Sequence, residues 1–195
     1  MKLVLASSNP GKLREIGALL RTMELVPQSA LGIEDAEEPH STFLENALAK
    51  ARHASGAARL PALADDSGLC VKALNGAPGV HSAHFAGREG ERATRDARNN
   101  EKLLSVLGEK RDACYVCVMI LVRHPDDPRP LVAEGVWRGE IARAPRGSGG
   151  FGYDPLFWLP SLGKTAAELD AEHKNRISHR AIALQKLLAL LNDGT

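Results

Sequence analysis

Ten consecutive uncharged, mostly apolar residues, Ala113 to Val122, constrain this chain more than any other stretch. A membrane helix needs about 20 such residues, so the run is too short to span a bilayer. Its β-branched and aromatic content from Tyr115 to Val122 reads instead as a strand. The turn-rich segment His124 to Pro130 follows, and Leu131 to Ile141 reads as the strand's antiparallel partner. Earlier in the chain, strands and helices interleave. Lys2 to Ala6 reads as a short buried strand. Asn9 and Pro10 then open a helix as N-cap and first helical residue, with Leu13, Ile16, Leu19 and Leu20 on its apolar face. Thr42 with Glu45 three residues on has the spacing of a capping box and predicts a second helix. Ala62 to Ala64 and Leu69 to Ala73 read as two short strands around Asp65-Asp66-Ser67-Gly68, and Glu91 to Leu107 as a charged helix. Helical patterns close the chain at Thr165 to His173 and Ser178 to Leu191. The expected class is α/β, a mixed sheet with helices packed on it.

Composition narrows the function classes. The 195 residues carry 25 basic and 24 acidic side chains, a formal net charge of +1, which leaves no bulk electrostatic case for nucleic-acid or membrane binding. The hydrophobic share of 44% and charged share of 25% are those of a globular protein. Three cysteines, Cys70, Cys114 and Cys117, cannot build a disulfide framework and suit a reducing compartment. The apolar core of a signal peptide is missing from the first residues. A cytoplasmic protein is expected, its residues 1–195 forming a single domain without repeats or a flexible linker.

Four segments carry groups that do chemistry. Ser7-Ser8-Asn9-Pro10-Gly11-Lys12 joins a strand to a helix, where helix-start N–H groups, the Ser7 hydroxyl and the Lys12 charge could hold a phosphate. The same residues would serve an ordinary capped helix. Asp65-Asp66-Ser67-Gly68 puts adjacent carboxylates at a strand end, as a Mg²⁺ or water-orienting site requires, or as a simple Asx turn would. Glu34, Asp35, Glu37 and Glu38 form a second acidic cluster that could supply ligands or remain a solvated loop. Ser148 to Pro155 contains Phe151, Gly152, Tyr153 and Asp154. Read from Gly147 it fits G-x-G-x-x-G, but no helix follows, so a dinucleotide fingerprint is rejected in favour of a loop that exposes aromatic faces to a base. Lys174 to Arg180 places His179 and Arg180 in the first turn of the last helix, where cations are unfavourable unless an anion or carbonyl meets them. Cys114 and Cys117, three apart on a strand, point to opposite faces and are excluded as a metal pair.

Together these segments resemble one family along nearly the whole chain. Ser7-x-Asn9-x-x-Lys12, Phe43-x-Glu45-Asn46-Ala47 with Lys50, Asp65-Asp66-Ser67-Gly68-Leu69, Gly76-Ala77-Pro78-Gly79, Gly149 to Pro155 and Ser178-His179-Arg180 are similar to the inosine triphosphate pyrophosphatase family, hydrolases of non-canonical purine nucleoside triphosphates. The bacterial type matches best. The resemblance implies a two-lobed α/β protein with a long mixed β-sheet, flanking helices, a central substrate cleft and a homodimer. It implies Mg²⁺-dependent cleavage of ITP, dITP or XTP to monophosphate and pyrophosphate. By the same resemblance Ser7, Ser8, Asn9, Pro10, Gly11 and Lys12 hold the phosphates, Asp66 accepts the proton of the attacking water, and Ser67 contacts substrate. Glu37 and Asp66 bind the metal, with Glu38 a near rival for Glu37. Phe151, Gly152, Tyr153, Asp154, Lys174, His179 and Arg180 surround the nucleotide, with Arg180 a candidate donor to the 6-oxo group.

Two other classes stay on the page. A nucleotide-binding regulator would bind without turnover, and the Asp65-Asp66-Ser67 group speaks against it. An RNA-binding module is disfavoured by charge balance and scattered aromatics. Within enzymes, a pyrophosphatase of modified pyrimidine or canonical triphosphates is the runner-up.

Overall fold

The computed structural model describes residues 2–20 and 23–193. Its elements run β1 (Lys2–Leu5), α1 (Pro10–Leu19), β2 (Glu24–Pro27), α2 (Phe43–Ala58), β3 (Ala62–Val71), α3 (Arg92–Val106), β4 (Asp112–Val122), β5 (Leu131–Ile141), β6 (Phe157–Leu159), β7 (Lys164–Thr165), α4 (Ala171–Ile177) and α5 (His179–Asp193). The sheet order is β2-β1-β3-β4-β5-β6-β7. β1 is parallel to β2 and β3, whereas β5, β6 and β7 pair antiparallel, so the sheet is mixed as expected. No described helix is long and apolar enough to cross a membrane.

The caps behave as their chemistry dictates. The Asn9 side chain accepts the N–H groups of Gly11 and Lys12, and Pro10 occupies the first helical position of α1. The Thr42 hydroxyl accepts the Glu45 N–H at 3.2 Å and donates to the Glu45 carboxylate at 2.6 Å. Ser178 caps α5, its hydroxyl accepting the Ala181 N–H at 3.3 Å.

Two expectations are corrected. The residues 65–68 are not a turn between two strands but the middle of one continuous strand, β3. The strand lies between β1, which pairs with it at Ala62 and Leu63, and β4, and the buried carboxylates of Asp65 and Asp66 are held by cations, so neither needs a turn to find a partner. The expected helix over 165–173 begins instead as β7 and a 3-10 turn, and regular helix starts only at Ala171. Thr165 and Glu168 close a capping box there, but the helix they announce lasts one turn.

The chain divides into two compact units. One comprises residues 1–66, 117–135 and 178–195, the other 67–116 and 136–177. In the first, alternation along the strands sorts side chains onto two faces. Leu3, Leu5, Leu63, Cys117 and Met119 pack against Ile16 of α1 and Ala183, Leu184 and Leu187 of α5. Val4, Ala6, Ala62, Ala64, Val118 and Ile120 pack against Ala47, Ala51 and Ala54 of α2. Helix α5 approaches β5 closely enough that a Cβ on Gly135 would fall 2.0 Å from the His179 carbonyl oxygen. Only glycine fits there.

The second unit is built around aromatic packing. The Tyr115 and Trp137 rings lie 4.7 Å and 5.1 Å from Phe157, among Leu69, Leu103 and Leu156.

Candidate active site

The face sorting in the first unit decides the fate of the two aspartates. Asp65, odd like Leu63, meets α1 and α5. Asp66, even like Ala64, meets α2. Each is buried, at 1% and 6% exposure, so each must find partners.

Asp65 finds cations. Lys12 Nζ lies 3.0 Å from its Oδ2 and also donates to its carbonyl oxygen at 3.4 Å. Arg180 Nη2 donates to Asp65 Oδ2 at 3.3 Å, while Arg180 Nη1 pairs with Glu15. Burial by itself would raise the Asp65 pKa, but Lys12, Arg180 and Lys50 outweigh it and hold the carboxyl well below the usual range. Asp65 is therefore a locked anion. Its negative charge also acts on Cys117, whose Sγ–H donates to it at 3.8 Å. Burial first, then Asp65, push that thiol far up.

Asp66 is placed differently. Its Oδ2 accepts Asn46 Nδ2 at 3.3 Å and its Oδ1 lies 3.4 Å from Lys50 Nζ. Burial raises its pKa. Lys50 and Lys12 oppose that shift, while Glu38 and Asp65 add to it, and the net displacement is upward. Burial also weighs against charge on Lys50, yet Asp66, Glu38 and Asp65 together hold the Lys50 pKa above its ordinary value. Asn46 and Lys50 are four residues apart on α2 and so share one helical face.

The loop before α1 is largely self-satisfied. Pro10 has no N–H, and those of Gly11 and Lys12 go to Asn9. Ser7 Oγ accepts the Asn9 N–H at 3.2 Å, and Ser8 donates to Asp35. The expected use of helix-start amides is thereby narrowed, and the Lys12 side chain is the strongest cation of the loop. Lys12 and Arg180, the two cations at helix starts, both meet Asp65 of the same chain.

For a metal, no group of three or more His, Cys, Asp or Glu side chains converges among the described residues. Asp66 and Glu38 are two carboxylates that share a partner, both reached by Lys50 Nζ. Glu37 is exposed and joins no ion pair with a described residue. An all-oxygen donor set of one or two carboxylates fits Mg²⁺, which takes its remaining ligands from water and phosphate.

In the second unit, Asp154 organises the aromatic loop. Its Oδ2 accepts the Phe151 N–H at 2.8 Å and pairs with Lys174 Nζ at 2.6 Å. Gly150 makes this hinge possible, because at φ +72° a Cβ would lie 2.0 Å from that carboxylate oxygen. Phe151 is half-buried, with the Lys174 ammonium 5.0 Å and the Arg92 guanidinium 4.7 Å from its ring centre. Tyr153 departs from expectation. It is buried, and its hydroxyl donates to the Ser82 carbonyl at 2.9 Å, so it anchors the loop instead of presenting a face. Gly152 is held at both ends of its peptide, by Asp96 at 3.0 Å and Asn100 at 2.9 Å. Ser67 is half-buried in β3, and His179 is buried at the start of α5.

Sequence reasoning did not single out the roles of Asn46, Glu15 and Arg92. Helical spacing of Asn46 with Lys50, and of Glu15 with Lys12 one turn away, was the signal available.

One unit thus carries a buried carboxylate pair matched by cations, and the other a glycine-hinged aromatic loop. The Ham1 family model matches residues 3–190, and the chain belongs to that family. It is 61% identical over 196 residues to the dITP/XTP pyrophosphatase of Burkholderia pseudomallei, covering 98% of this chain and 94% of that protein. A HAM1 protein from Coxiella burnetii superposes with a TM-score of 0.91 at 49% identity, covering 99% of each chain. The Staphylococcus aureus Ham1 protein does so with a TM-score of 0.87 at 40% identity, covering both chains fully.

Proposed function

We propose that this protein hydrolyses non-canonical purine nucleoside triphosphates (ITP, dITP and XTP) to the monophosphate and pyrophosphate. The observation that carries the reading is Asp66: a buried carboxylate with a raised pKa, oriented by Asn46 and Lys50, is suited to accept a proton from water. Water attacks phosphorus, the α–β phosphoanhydride bond breaks, pyrophosphate leaves, and the water's proton goes to Asp66. Lys12 supplies positive charge to the phosphates, and Asp65 fixes where that charge sits. Asp66 with Glu37 or Glu38 would hold Mg²⁺, which when bound neutralises phosphate charge and lowers the pKa of water. Phe151 offers stacking that is blind to base identity.

The name of the Burkholderia relative and the family membership support the substrate class. The mean composition, the three free cysteines and the absence of a membrane-spanning helix among the described residues support a cytoplasmic enzyme. A homodimer is part of the proposal, from the family resemblance. The test is product analysis: equimolar monophosphate and pyrophosphate from ITP, abolished by a chelator and restored by Mg²⁺. Binding of ITP without any pyrophosphate release would point to a regulator instead.

A further inference from the structure

The acidic stretch before α2 has no regular secondary structure over residues 34–40, yet it is pinned along its length. Helix α2 holds it at three points. His53 Nε2 donates to the Glu34 carbonyl at 3.1 Å, and Lys50 pairs with the Glu38 carboxylate. Asn46 accepts the His40 N–H at 3.0 Å and donates to the His40 carbonyl at 3.2 Å. Asp35 ties the same stretch to two other elements. Its Oδ2 accepts the Ser8 hydroxyl, from the loop before α1, and its Oδ1 accepts the Gln28 side-chain amide, from the turn after β2. Gln28 is buried, so its amide needs a partner, and Asp35 supplies one from an exposed position. Both oxygens of Asp35 are thus engaged by the chain itself.

We infer that Asp35 is a positioning residue that fixes the acidic stretch against the loop before α1, so that metal and triphosphate bind as a unit. This rests on the proposed function and deepens it. Under that reading the loop before α1 meets the triphosphate, while Glu37 or Glu38 joins Asp66 in holding Mg²⁺. One bound species then touches both segments, and their spacing decides how much each grip strengthens the other. Glu37 and Glu38 lie two and three residues from Asp35 along the chain, too close to move independently of it. Lys50 already links Glu38 to Asp66 from the α2 side. Asp35 supplies the matching tie on the phosphate side, through Ser8. It acts through the spacing of the two segments and not as a metal ligand.

The experiment is calorimetry with the α,β-methylene analogue of ITP, whose α–β link resists cleavage, once with saturating Mg²⁺ and once with chelator. The ratio of the two affinities measures how far metal and triphosphate reinforce each other. Asp35→Ala should lower that ratio by about tenfold to hundredfold, the range for removing a residue that supports metal ligands. Its affinity in chelator should stay at the wild-type value. Asp35→Asn loses the charge but keeps the tie, because its oxygen can accept the Gln28 amide and its amide can donate to Ser8; its ratio should lie near wild type. Ser8→Ala alone should lower the ratio, which gives a reading even where Asp35→Ala does not fold. Added to Asp35→Ala it should lower the ratio no further. An unchanged ratio in Asp35→Ala or in Ser8→Ala overturns the inference alone. So does a ratio in Asp35→Asn as low as in Asp35→Ala, which would make the effect one of charge. Equal losses with and without metal would reduce Asp35 to loop support and overturn it as well. A wild type that binds the analogue equally with Mg²⁺ and with chelator overturns the metal's place in the proposed function together with it.

Discussion

Asp65 and Asp66 are consecutive residues of β3, and their carboxyl groups are driven in opposite directions. The pleat turns Asp65 toward Lys12 and Arg180, which hold it ionised, and Asp66 toward α2, where burial raises its pKa. Two adjacent carboxylates with opposed environments suit different work, Asp65 as an anchor and Asp66, under the proposed function, as a proton acceptor.

Asp66→Asn removes the acceptor while keeping shape and the bond from Asn46 or Lys50 within reach. Turnover should fall by about 10²–10⁴, the usual contribution of a general base. Nucleotide affinity in calorimetry should change little. Full turnover would exclude Asp66 as the base.

Asp65→Asn should act on stability instead. It leaves Lys12 and Arg180 beside a neutral group in a buried site, and breaking such a pair costs up to about 3–5 kcal/mol. Urea unfolding measures it. A variant as stable as wild type would mean that Asp65 is not the anchor.

Lys12→Ala should weaken binding of the triphosphate more than of the nucleoside, since its ammonium is the cation of the loop before α1. Calorimetry with both ligands checks this. Equal losses would show that the loop does not grip phosphate.

Asp127 gives a pH prediction away from the site. Burial alone would raise its pKa, but the N–H groups of Arg123 and Arg129, at 2.9 Å each, and the Arg123 guanidinium lower it. A folded pKa below the unfolded one contributes stability above the unfolded value and loses it as pH falls through the folded value. Asp127→Ala should therefore destabilise at neutral pH, by about 1–3 kcal/mol for the lost acceptors. The difference from wild type should shrink on acidification below pH ~4, read from thermal melts at each pH. A difference independent of pH would assign the effect to packing.

Much of the fold was legible where local chemistry decides it. Asn9-Pro10, Thr42 with Glu45, and Ser178 mark helix starts that the structure keeps, and Leu131 to Ile141 is β5 to the residue. The middle of β3 was not legible, because Asp-Asp-Ser-Gly has turn propensity and only the flanking strands and distant cations reverse it. The partners of Lys12 and Arg180 were hidden for the same reason. Both meet Asp65, which lies 53 and 115 residues away. Tyr153 read as an exposed aromatic because glycines flank it, and its burial depends on Ser82, 71 residues earlier.

Pyrophosphate release from ITP, dITP, XTP, ATP and GTP under one set of conditions tests the central claim most directly. A site that hydrogen-bonds one base edge can reject its mismatch by ~10⁴. The account predicts kcat/KM for ITP, dITP and XTP at least ~10²-fold above ATP and GTP, with ribose and deoxyribose accepted similarly. Comparable cleavage of ATP and ITP would contradict it.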